Sequence, residues 1–148
     1  MNQIVAFLEG DGPDGAGRMI AQVQAYDAGE LERQHDFIQW LFPLAEPSAA
    51  VPGSPVLTAE DIGEIKVSPV AQANLIKSAR HMAGFYDHSD HWLRPSDHNH
   101  LRITRIIKSL RLLVGDAAAD GFRAAILARV EAEGAPVSQA SRRHWMAA

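Results

Sequence analysis

The stretch "SDHNHLRITRIIKSL", residues 96–110, sets His98, His100, Arg102 and Arg105 among Leu101, Ile103, Ile106 and Ile107. Two imidazoles and two guanidiniums at this spacing could hold a metal, grip an anionic ligand, or pair with carboxylates inside the fold. At about 100° per residue, His98, Arg102, Arg105 and Ser109 form one stripe of a helix. The stripe lies between a broad apolar arc (Asn99, Ile103, Ile106, Ile107, Leu110, Leu113, Val114) and a narrower one (Leu101, Leu112). Thr104, Lys108 and Arg111 make the solvated face. Arginines with apolar residues on both flanks are expected to be partly buried.

A buried guanidinium needs a partner, because it does not escape its desolvation cost by losing the proton. Carboxylates from the first part of the chain are candidates: Glu9, Glu30, Glu32, Asp36 and Glu46. Backbone carbonyls or a bound anion would also serve. Residues 1–60 carry two basic and nine acidic side chains, and residues 61–148 carry twelve basic and nine acidic. Acidic N-terminal helices packing near a basic one is the plain reading of that split. A basic site for an acidic partner is the sharper one.

Metal and hydrolytic chemistry have weaker support. "HMAGFYDHSDHWLRPSDHNH", residues 81–100, holds five of the seven histidines and three aspartates. Imidazole and carboxylate suit zinc, nickel or manganese. The spacings form no recognised motif, however, and His98 and His100 point about 160° apart on a helix. No nucleophile elbow, phosphate-binding loop or dinucleotide fingerprint is present, so no catalytic residue, metal ligand or cofactor is assigned. "GDGPDGAG" follows a helix and has no lysine, and reads as a turn. A pI near 5.9 argues against a nucleic-acid partner.

The elements that must position these residues are helical throughout. At 148 residues, with 47% apolar and 22% charged side chains, the chain is one soluble globular domain over 1–148. Absence of cysteine fits a reducing compartment, and neither a signal peptide nor a membrane-spanning run is visible, so a cytoplasmic location is expected. Apolar spacing predicts helices over 2–9, 17–26, 29–42, 59–67, 69–86, 97–114, 117–133 and from Ser138 onward. Thr58 with Asp61, and Ser68 before Pro69, are start signals. Asp116 is expected to cap its helix. No alternating strand is found, giving an all-α bundle of about six to eight helices.

Three sequence words, in this order, carry a family likeness: "HDFIQWLFPL" (35–44), "MAGFYD" (82–87) and "HNHLRITRIIKSLRLLVG" (98–115). With "FLEGDGPDGAGR" near the start and "RRHW" near the end, the chain resembles the conserved N-terminal domain of the opioid growth factor receptor family. The likeness implies a domain found in a receptor-like animal protein and in short microbial proteins, with signalling receptor activity and enkephalin binding as the implied function. This chain would be a short microbial single-domain member, since it stops after the shared domain and has no C-terminal repeats or basic clusters.

The expectation is therefore a non-enzymatic helical binding module for a peptide or small anionic ligand. Its site would be lined by His98, Arg102 and Arg105 with His35 and Gln39, and bordered by Trp40. If "HDFIQWLF" packs along "HNHLRITRIIKSL", Asp36 or Gln39 could meet an arginine directly. An enzyme using the 81–100 histidines, and a structural or homo-oligomerising domain, are the alternatives.

Overall fold

The computed structural model describes residues 2–148. Nine helices follow one another among the described residues: α1 (Gln3–Glu9), α2 (Ile20–Val23), α3 (Ala28–Arg33), α4 (Ile38–Leu41), α5 (Ala59–Val67), α6 (Pro69–His88), α7 (His98–Leu113), α8 (Asp116–Glu133) and α9 (Gln139–Ala147). There is no strand among them, and a single parallel bridge joins Leu44 to Val56.

Helix starts follow the side-chain chemistry. Thr58 Oγ1 accepts from the Asp61 N–H at 3.1 Å while Asp61 Oδ2 accepts from the Thr58 N–H at 2.9 Å, satisfying two end donors reciprocally. Ser68 caps α6 with Pro69 at the first helical position, Asp97 caps α7, and Ser138 caps α9. Gly10 ends α1 at φ 81°, a left-handed position that glycine adopts without a Cβ penalty. At α8 Gly115 takes the cap position, and Asp116 is the first helical residue.

The expected 29–42 helix is broken. α3 ends at Gln34, whose φ −77° and ψ 134° are extended, and α4 is a single turn starting after Phe37. Arg102 satisfies the break: its guanidinium donates to the Leu31 and Gln34 carbonyls that an unbroken helix would use internally. The expected 17–26 helix likewise shrinks to one turn over α2, between Gly17 at φ 81° and the new cap at Asp27.

α6, α7 and α8 form the centre, with α7 against α8 as the most extensive pairing, and α1, α5 and α9 close the sides. One apolar core runs through the chain, including Phe7, Phe37, Phe42, Trp92 and Trp145, all fully buried. α9 is tied down by Trp145, whose Nε1–H donates to the His100 carbonyl at 3.0 Å. No described helix is long and apolar enough to cross a membrane.

Candidate functional site

α7 brings its stripe to face α3, α4 and the proline-rich segment after them. His98, Arg102 and Arg105 line a groove of about 490 Å³ with His35 and Gln39. Its opposite wall is the segment from Leu44 to Val51. Five of the six residues singled out from sequence thus share one groove. Trp40 does not. Its ring lies edge-on to Phe7, with centroids 5.6 Å apart, and lines shallower depressions with Gly53 instead. The reason is the helical register: Gln39 and Trp40 point about 100° apart on α4, so Gln39 lines the groove while Trp40 packs on α1.

The arginines find carbonyls, not carboxylates. Arg102 is 8% exposed and donates from Nη1 to the Leu31 carbonyl at 2.6 Å and from Nη2 to the Gln34 carbonyl at 2.5 Å. Its guanidinium carbon also lies 5.3 Å from the centre of the Phe37 ring, a cation–π placement. His35 Nδ1 is 3.4 Å from Arg102 Nη2. Arg105 donates from Nε to the Phe42 carbonyl at 2.9 Å, and next to it Ser109 Oγ donates to the Pro43 carbonyl. Arg105 Nη2 is buried and has no hydrogen-bond partner in the protein. Gln39 Oε1, on a residue 6% exposed, is orphaned in the same way.

Burial pushes the guanidinium pKa values of both arginines down. For Arg105 it falls to about 10, with Glu46 opposing the shift. Both stay cationic at neutral pH. The expected carboxylate partners are engaged elsewhere: Asp36 pairs with Arg18 at 2.9 Å, and Glu46 with Lys108 at 3.4 Å. Glu32, which sequence had offered only as an arginine partner, instead gathers His91 and His98. Its carboxylate meets His98 Nε2 at 2.7 Å, contacts His91 Nε2, and accepts from the Asn99 amide at 3.0 Å. Asn99 is fully buried and also receives the Tyr86 hydroxyl at 3.0 Å. Burial raises the Tyr86 hydroxyl pKa, keeping it a donor.

His100 is turned away from the groove. Its ring bridges the Trp92 carbonyl and Ser141 Oγ, both at 2.8 Å, which fastens α9 to α7. His88 bonds the Gly84 carbonyl within its own helix. The histidines of 81–100 therefore do not converge on one point: His91 and His98 share Glu32, while His88 and His100 bond elsewhere. Among the described residues, no three His, Asp or Glu side chains are arranged to hold a metal ion. The groove offers a buried cation, an exposed imidazole pinned by Glu32, an orphan acceptor, and apolar wall from Ile38, Leu44, Val51 and Leu101.

Residues 13–91 match the opioid growth factor receptor (OGFr) conserved region, and the chain belongs to that family. It is 37% identical over 98 residues to the opioid growth factor receptor of Rattus norvegicus, a match covering 54% of this chain and 17% of the rat protein. The Homo sapiens receptor is 33% identical over 115 residues, covering 66% of this chain and 16% of that protein. Opioid growth factor receptor-like protein 1 of Xenopus tropicalis is 36% identical over 101 residues, covering 57% and 20%. The chain therefore corresponds to only a small part of the length of the curated relatives it matches. No solved structure matches it.

Proposed function

We propose that this member of the family is a binding module whose α7 groove takes an anionic group, on a peptide or a small molecule. One observation carries the reading. Arg105 holds a charged donor, Nη2, buried in the groove wall with no partner in the protein. Leaving such a donor unmatched costs on the order of 1–3 kcal/mol or more, and an acceptor from a ligand would recover it. A carboxylate or phosphate is the natural match for a guanidinium nitrogen. His98 and Lys108 also line the groove, the first held by Glu32 and the second paired with Glu46, which leaves Arg105 as the donor without a partner.

The name of the relatives adds one candidate ligand, opioid growth factor, which would have to present a carboxylate to Arg105. Calorimetric titration of the protein with opioid growth factor, hexanoate and inorganic phosphate tests the proposal. Saturable binding of at least one, weakened tenfold or more by Arg105→Met, is the expected result. No saturation by any of the three, or binding indifferent to Arg105→Met, overturns it.

A further inference from the structure

We infer that the groove is shaped for the C-terminal end of a peptide: the terminal carboxylate on Arg105, and the N–H of the last peptide bond on Gln39. This rests on the anion-binding reading above and narrows its ligand to one class.

Three buried side-chain polar atoms among the described residues lack a partner in the protein, and two of them belong to residues that line this groove. They have opposite polarity. Arg105 Nη2 can only donate, and Gln39 Oε1 can only accept. A simple carboxylate offers acceptors alone and leaves Gln39 Oε1 without a hydrogen, while inorganic phosphate carries a P–O–H but nothing apolar for the rest of the groove. A ligand that answers both must set an N–H or O–H close to its acid. The last residue of a peptide does so by construction, since its amide N–H and its carboxylate sit on the same carbon.

The rest of the groove fits that ligand. Ile38, Leu44 and Val51 give it apolar wall, and Leu101, 69% exposed, stands at its mouth. Those four side chains suit an apolar terminal residue, and a groove of about 490 Å³ has room for two or three residues. Leu101 also loses its anomaly. A leucine left in water on the flank of a buried arginine is explained if a ligand side chain covers it.

The test uses one atom. Acetyl-alanyl-leucine and its depsipeptide, in which the last N–H is replaced by an ester oxygen, are titrated into the full chain by NMR. Wild type should bind the amide about tenfold more tightly than the ester, the scale of a neutral acceptor left unpaired. Gln39→Met should bring the two ligands level while keeping the dispersed spectrum of a folded protein. Equal binding of both by wild type overturns this inference and leaves the anion reading standing. Silence toward both ligands overturns this inference, and hexanoate or phosphate then decides the anion reading separately.

Discussion

Replacing Arg102 and Arg105 in turn by methionine should separate the two arginines by what they do for stability. Arg102→Met removes donors from two backbone carbonyls, at Leu31 and Gln34. Charge-assisted bonds of this kind contribute about 1.5–3 kcal/mol each, and the carbonyls they leave behind face protein. Relief from burying the guanidinium offsets part of that loss. The net expectation is destabilisation of about 2–4 kcal/mol. Arg105→Met removes one such bond, to Phe42, but it also removes a buried nitrogen that has no partner. Those two effects are of similar size and opposite sign, so stability should move by less than about 1 kcal/mol either way. Urea unfolding at pH 7, followed by circular dichroism, measures both. In a chain of this length the Arg102 variant should also melt roughly 6–12 °C lower. Equal losses in the two variants, or a larger loss for Arg105, would refute the claim that Arg102 serves the fold and Arg105 is left for a ligand.

Three further outcomes are expected. Burial alone would raise the Asp97 carboxyl, but the Asn99 backbone and side-chain N–H groups, Arg94 and His98 together hold it below its usual value of 3.8. Its stabilising contribution is therefore complete above about pH 5 and lost as pH falls through 3.8 and below, so Asp97→Asn should flatten the acid limb of a stability–pH profile. An unchanged acid limb would contradict this. Trp145→Ala should cost about 3–5 kcal/mol by urea unfolding, since a fully buried indole and its bond to the His100 carbonyl are lost together. Leu101→Ser should leave unfolding within about 0.5 kcal/mol of wild type, while weakening binding of acetyl-alanyl-leucine severalfold in the NMR titration.

Much of the helical frame is readable from residues alone, because caps and periodicity act locally. Thr58, Ser68, Asp97 and Ser138 each start a helix as their side chains dictate, and the broad arc of α7 is buried as its spacing requires. Grouping His35, Gln39, His98, Arg102 and Arg105 was within reach because the 35–44 segment and α7 line one groove, as the expected packing of those two words required. The partners of the arginines were not. Carboxylates, carbonyls and an anion were all open to them, and which carbonyls serve depends on where α3 and α4 end. The apolar spacing of "GELERQHDFIQWLF" reads as one helix, and the donors that satisfy its break come from a side chain far along the sequence. Trp40, which the 29–42 register already points toward a second neighbour, packs on Phe7 and is not among the groove's lining residues. Glu32 as the anchor of His91 and His98 needed the fold of the 89–97 loop, which has no periodic signal.

Four carbonyls near α3 and α4, those of Leu31, Gln34, Phe42 and Pro43, take their donors from Arg102, Arg105 and Ser109, between 63 and 71 residues further on. The first third of the chain is thus finished by the last. During synthesis, the turn between α3 and α4 can meet Arg18 through Asp36 early, but its Leu31 and Gln34 carbonyls wait for their donors until α7 has emerged. A fragment ending at residue 91, the limit of the family match, would keep every residue of α3 and α4 yet lack the side chains that fasten them. Any dissection of this domain must carry α7 with it.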